Sequence, residues 1–195
     1  MKSKTPREVL TQFYLDNNLE LDGGQSSKHV KIDVSKKFSF YFPNFNARRK
    51  AVIKHDIHHL LTGYSASSLI GESEISAWEI ASGCKSYWAA FLIDTSGIMI
   101  GVPLNSVKVL KAFARGRRTK NLYHDMFSTD EAMDMQIEEL QRKLQLDLHT
   151  KDTNPTFSDV VAFLGFLLFG GIYSILSLIF LPFVVFYTLY CRVVE

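Results

Sequence analysis

The sequence is short of the residues that would covalently tie it. Two cysteines, Cys84 and Cys191, lie far apart in a chain of 195 residues. That excludes a disulfide framework or a CxxC metal knuckle and points to a reducing compartment. Charge of either sign is nearly balanced, with a formal net charge of +2, too little to drive nucleic-acid binding. The basic residues carry no aromatic platform motif, so no nucleic-acid partner is expected. No glycine-rich phosphate cradle is present, and no serine or cysteine nucleophile with an evident base. The opening residues MKSKTPREVL lack the apolar core of a signal peptide and the Arg/Ser pattern of a transit peptide. The first domain is therefore expected on the cytoplasmic or organelle-matrix side.

The most informative absence is of charge from Val160 to Cys191. A helix rises about 1.5 Å per residue and the hydrocarbon core is about 30 Å thick, so this run exceeds one crossing. Three arrangements stay open: one span from about Ile172 to Cys191 after an interfacial segment, a re-entrant hairpin turning at Gly170-Gly171, or a buried core hairpin in a soluble protein. The division expected is 1–150 as the main domain, 151–156 as a linker and 157–195 as a membrane anchor. The cluster Lys108, Lys111, Arg115, Arg117, Arg118 and Lys120 fits either a face held against anionic lipid or a solvated helix end.

The remainder reads as all-α, a helical bundle with one small extended or hairpin element near the N-terminus. Thr5-Pro6-Arg7-Glu8 is a capping box with proline at the first helical position, opening a helix to about Asn17. Residues 29–42 alternate in places and are extended or a small hairpin. Asn46 can cap a helix ending at Gly63. A second long helix is expected over roughly Gly71 to Ile93, with Gly97, Gly101 and Pro103 interrupting the chain after it and a helix over 104–115. Ser128-Thr129-Asp130-Glu131 opens a helix with Met133, Ile137, Leu140, Leu144 and Leu148 on one stripe and pairs Glu138–Arg142 and Glu139–Lys143 outside.

The chemistry concentrates between Lys54 and Gly83. At about 100° per residue, Ile53, Ile57, Leu60 and Leu61 form an apolar stripe. His55, Asp56 and His59 occupy a separate arc beside it, and His58 points to the other side. A His pair one turn apart with a carboxylate suits zinc or another divalent transition metal, or is a wet helix face without one. On the next helix Glu72, Ile75, Ser76, Glu79, Gly83 and Ser86 share one face. Glu72 could supply a fourth ligand across the loop 64–70, and Glu79, two turns on, is a supporting carboxylate or base. His29, His124 and His149 have no partner pattern, and Trp78, Tyr87 and Trp88 read as core or interface aromatics.

His55-Asp56-x-x-His59, then Gly63, then Leu69-Ile70-Gly71-Glu72, closely resembles the zinc-type motif of the coenzyme Q biosynthesis protein 4 family, HDxxH followed by a glutamate after eleven residues. Here twelve residues intervene, read as a one-residue loop insertion. The resemblance is strongest over 45–90 and implies the ligands His55, Asp56, His59 and Glu72 in a divergent member. It implies an α-helical protein at the matrix face of the mitochondrial inner membrane, with bacterial relatives, supporting ubiquinone biosynthesis. It further implies bound polyprenyl lipid, other quinone-biosynthesis proteins or a second copy as partners, and oxidative decarboxylation of a prenylated benzoate ring. The metal would hold that ring as a Lewis acid.

Three rivals come from other classes. HDIHH also reads as one HxxHH box of integral-membrane desaturases, which need about eight histidines where this chain has six. The His-Asp pair could belong to an HD-type metal phosphohydrolase, with His29 and Asp94 or Asp125 completing it. The third rival is a non-catalytic, membrane-anchored lipid-binding scaffold that keeps the metal for structure.

Overall fold

The computed structural model describes residues 4–35 and 38–194. The fold is all-α with one small antiparallel hairpin near the N-terminus, as the sequence pattern predicts. Helix α1 (Pro6–Asp16) begins with the expected capping box: the Thr5 hydroxyl accepts from Glu8 N–H, and the Glu8 carboxylate accepts from Thr5 N–H. Strands β1 (His29–Ser35) and β2 (Phe38–Pro43) pair antiparallel, with His29 opposite Pro43. Lys36 and Lys37 of the expected extended stretch lie outside the described residues.

Helix α2 (Asn46–Thr62) ends where Gly63 turns left-handed, at φ +72, a conformation that suits glycine. Its cap is Phe45, not Asn46, and Phe45 makes no side-chain cap bond; its ring stacks on Trp88 instead, 5.5 Å between centroids. The expected long helix 71–93 is two helices: α3 (Leu69–Ser82) stops at Gly83, and α4 (Trp88–Gly116) follows. Gly97 and Gly101 do not interrupt the chain but lie inside α4, whereas the interruption expected at Pro103 falls just beyond that proline. The two glycines let α3 and α4 meet closely. A Cβ on Gly97 would stand 2.3 Å from Ser76 Oγ, and one on Gly101 2.2 Å from Ser73 Cβ. The break comes two residues after Pro103, at Asn105 with φ −161, whose side-chain oxygen accepts from Lys108 N–H at 3.1 Å and caps the helical stretch that follows.

The larger core cluster gathers around Ile57, Leu61, Ile75, Trp78, Ile98, Leu140 and Leu144, and a smaller one joins Ala51, Cys84, Ala90 and Tyr123. Helices α5 (Thr129–Asp134) and α6 (Ile137–Lys143) replace the single helix expected after Ser128. The Ser128–Glu131 capping box forms, Leu140 and Leu144 are buried, and Glu139 pairs with Lys143. The chain turns extended at Met135, and α6 ends at Lys143, so Leu148 lies past the helix and is exposed.

Helix α7 (Phe157–Ser177), one 3-10 turn and α8 (Leu181–Val194) run on as a nearly continuous helix. No turn occurs at Gly170-Gly171, so the re-entrant option is not what forms. Phe157–Val193 (37 residues) and Trp88–Gly116 (29 residues) are both long and apolar enough to cross a membrane. They differ in surroundings, since α4 is packed into the core whereas the C-terminal helix exposes most of its apolar side chains. The basic cluster is partly dissolved by folding. Arg115 is buried and donates to the carbonyls of Thr62 and His149. Arg117 and Arg118 both bind Asp159 in the first turn of α7.

Candidate metal centre

Helix α2 presents His55 and His59 one turn apart, and α3 brings the first-turn Glu72 to meet them across the Gly63–Ser68 loop. The Nε2 atoms of the two imidazoles are 3.1 Å apart. Each lies 3.4 Å from a different oxygen of the Glu72 carboxylate. These three side chains form one of two sets, among the described residues, whose donor atoms lie within 4.8 Å of one another.

The outer bonds fix which nitrogen of each ring is free. His59 Nδ1 stands 3.0 Å from the Tyr64 carbonyl, which can only accept, so Nδ1 carries the proton. His55 Nδ1 stands 3.1 Å from both oxygens of Glu79 and donates there. Burial opposes a charged ring at His55, but the Glu79 charge and the Glu72 bond outweigh it and push its pKa well above the ordinary value, so without a metal His55 Nε2 carries a second proton. With a metal bound, both Nε2 atoms would be lone pairs aimed at it. Three such atoms at this range repel unless a proton or a metal cation lies among them. Two imidazole nitrogens bound tetrahedrally to one zinc ion stand about 3.3 Å apart, so the observed spacing fits. A donor set of two imidazoles and a carboxylate suits zinc and its neighbours and leaves a coordination position open.

Glu79 supports the site from behind. It is fully buried and accepts from His55 Nδ1, from His58 Nδ1 at 2.5 Å and from the Tyr123 hydroxyl at 3.3 Å. Leu122 N–H donates to His58 Nε2 at 2.9 Å, which makes His58 the neutral Nδ1–H tautomer. Burial also pushes the His58 pKa down against the pull of Glu79. Burial drives Glu79 upward, but the charge and hydrogen bond of His55 and the bond from His58 outweigh it and hold it well below the usual carboxylate range. Glu72 behaves alike: burial raises it, and its bonds with His55 and His59 bring it down to about 2.

Asp56, the remaining expected ligand, belongs to neither of the close sets. It lines the same cavity but accepts from the Tyr14 hydroxyl at 2.9 Å. Burial lifts its pKa to about 6 against the opposing charge of His55. Gly23 permits this meeting, since a Cβ there would stand 2.8 Å from Tyr14 Oη and 3.0 Å from Asp56 Oδ2. The loop over 63–68 is tied to both helices: the Tyr64 carbonyl reaches His59 and the Ser68 hydroxyl caps α3.

The cavity in front of the cluster is about 360 Å³. His55, Asp56, His59 and Glu72 line one part of it, with Arg48, Val52, His29, Val30 and Lys31 among the other lining residues. Arg48 Nη1 donates to Asn44 Oδ1 at 3.1 Å. His29 also faces the C-terminal helix, 2.6 Å from the Tyr187 hydroxyl.

Sequence periodicity did not anticipate His58, placed there on the far side of α2. It does lie off the His55–His59 arc, and it reaches the site only because Glu79 of α3 packs between the two arcs. The second close set, His55, Glu79 and Asp94, is this same buried polar cluster, with Cys84 Sγ 3.8 Å from Asp94. Of the partners an HD-type phosphohydrolase needs, His29 lines the same cavity as Asp56, but the downstream candidates Asp94 and Asp125 do not. Asp125 pairs with Lys54 at 2.7 Å, and Asp94 sits behind Glu79. The chain matches no family model, no curated protein and no solved structure.

Proposed function

We propose that the chain is a membrane-associated metal-binding protein of ubiquinone-type polyprenyl-quinone biosynthesis, a divergent member of the coenzyme Q biosynthesis protein 4 family. In this reading it acts on the carboxylated ring of a prenylated benzoate as a metal-dependent decarboxylase. The observation that carries it is the convergence of two imidazole Nε2 atoms and the Glu72 carboxylate with both Nδ1 protons already engaged. The motif resemblance supplies the pathway, and the apolar C-terminal helix supplies the membrane setting in which a polyprenyl substrate resides.

His55, His59 and Glu72 would hold a divalent ion of the zinc class. When bound, that ion supplies Lewis acidity toward a carboxylate or phenolic oxygen of the ring. The protein's own side chains do the rest. Glu79 and the Tyr64 carbonyl fix the two imidazoles in one tautomer and one orientation, which keeps their lone pairs inward. Arg48 places a guanidinium in the cavity wall, suited to a second ring oxygen or to the carboxylate. Asp56, held by Tyr14, offers a carboxylate in the same cavity for a proton at the ring. Val30 and Val52 give the prenyl chain an apolar path toward β1 and the C-terminal helix.

One observation favours a second reading, a lipid-binding scaffold without turnover: Glu79, the base candidate, is fully buried behind His55 and does not line the cavity. Metal analysis of the full chain, joined to quinone measurement in a His59→Ala strain, tests the main reading. Loss of metal together with accumulation of the carboxylated precursor is expected. Loss of metal with quinone synthesis intact would overturn it.

A further inference from the structure

The C-terminal helix is engaged by the rest of the molecule along one side toward both ends, over residues 159–173 and again at Tyr187 and Thr188, while residues 178–183 between them are exposed. In its first turn Asp159 binds Arg117 and Arg118. One turn on, Phe163 packs on Phe113 of α4, and Gly170 lies against Met99, where a Cβ would come within 2.6 Å of the sulfur. The Tyr173 hydroxyl reaches the Leu92 carbonyl at 3.3 Å. Beyond the 3-10 turn the contacts change partner and not side. Tyr187 meets His29 of β1, and the Thr188 hydroxyl accepts from Tyr41 N–H of β2 at 3.1 Å. These positions recur at helical spacing, so they form a single stripe. At 1.5 Å per residue, it is about 45 Å long from Asp159 to Thr188.

The opposite side of the same helix carries Leu164, Leu168, Ile172, Ile175, Ile179 and Phe186, each 55–74% exposed. They also recur at helical spacing and hold no charge. A protein-binding face of this length would carry a polar rim, and none is present on this side. Exposed apolar patches on monomers rarely exceed a few hundred Å² without a partner.

A crossing would require a slab of hydrocarbon about 30 Å thick round the middle of this helix. The body packed beside that middle is α4, whose Gly97 lies against Ser76 of α3, and α3 carries Glu72 and Glu79. The slab would therefore enclose the helices of the polar centre. Each charge placed at such depth costs about 2.5–3.5 kcal/mol on insertion scales.

We infer that the C-terminal helix does not cross the membrane but lies in the plane of one leaflet, its domain-facing stripe bound to α4 and the β-hairpin and its Leu164–Phe186 side sunk among acyl chains. The partner is the lipid leaflet itself, and the domain takes the place of the polar face that an isolated interfacial helix would carry. Both ends of the helix then lie on the same side of the membrane. The cavity rim at His29, in contact with Tyr187, is brought to the lipid surface. This topology holds whatever metal the centre takes.

The test uses the full chain in vesicles of phosphatidylcholine and phosphatidylglycerol. Single cysteines at Leu164, Ile172, Ile179 and Phe186 carry nitroxide labels, and oxygen against nickel-complex accessibility gives the depth of each. These are outward positions, so substitution leaves the packed stripe alone, and the native Cys84 and Cys191 are buried. One shared shallow depth at all four positions is expected. A depth that peaks at Ile172 and Ile179 and falls at both ends would overturn the inference. So would labels that stay in water, or that contact a second copy of the chain and not lipid. As a second readout, Phe157→Cys and Val193→Cys should react with a membrane-impermeant maleimide from the same face, and reaction from opposite faces would show a crossing.

Discussion

His58 Nδ1 donates to Glu79 across 2.5 Å, and neither side chain has any solvent exposure. This contact joins α2 to α3 behind the imidazoles that face the cavity. A buried carboxylate that accepts three donors is stable only while all three are present. Glu79→Gln would turn an amide N–H toward either the His55 or the His58 N–H. The variant is expected to lose about 3 kcal/mol of stability, read by chemical denaturation. Its metal affinity should fall 10–100-fold, as for the loss of other groups that orient ligands. A variant that keeps both would show that Glu79 does not position His55.

The α3–α4 contact depends on glycine. Gly97→Ala puts a methyl 2.3 Å from Ser76 Oγ, and overpacking of this kind costs about 1–3 kcal/mol. Ser76→Gly in the same chain removes the obstacle and should recover most of the loss in thermal unfolding. Absence of recovery would mean that the cost comes from elsewhere in α4.

Lys54 is nearly fully buried, and its ammonium group binds the Leu122 carbonyl at 3.0 Å and Asp125 at 2.7 Å. The hydrogen bonds from Lys54 and Tyr87 hold the Asp125 pKa below the usual carboxylate range. A folded-state pKa below the unfolded value gives stabilisation that is present above about pH 4 and lost as pH falls through the folded value. Asp125→Asn is therefore expected to cost about 1 kcal/mol at neutral pH, since Asp125 itself is more than half exposed. The difference from wild type should shrink below pH 4. A gap that grows under acid would reverse the assignment.

Much of this architecture was legible from local chemistry. The Thr5–Glu8 and Ser128–Glu131 boxes and the Gly63 terminus are short-range signals, and each formed where the sequence placed it. The one-turn spacing of His55 and His59 likewise needs only α2 to be a helix. What was not legible depends on a neighbour. Gly97 and Gly101 read from the sequence as breaks, and only the presence of Ser73 and Ser76 on the facing helix makes them contact points. His58 could not be placed without knowing that α3 would deliver Glu79 between two arcs of α2. Asp56 has the right spacing for a ligand, yet Tyr14 of α1, 42 residues upstream, meets its carboxylate first.

The central claim is that His55, His59 and Glu72 together hold one divalent metal ion. It is tested most directly by element-specific mass spectrometry of the purified full chain, with His59→Ala and Glu72→Ala prepared alongside and folding checked by circular dichroism. One zinc-class ion per chain in the wild type, lost from both folded variants, is the predicted result. A metal-free wild type from metal-replete cells, or either variant retaining a full equivalent, would contradict it.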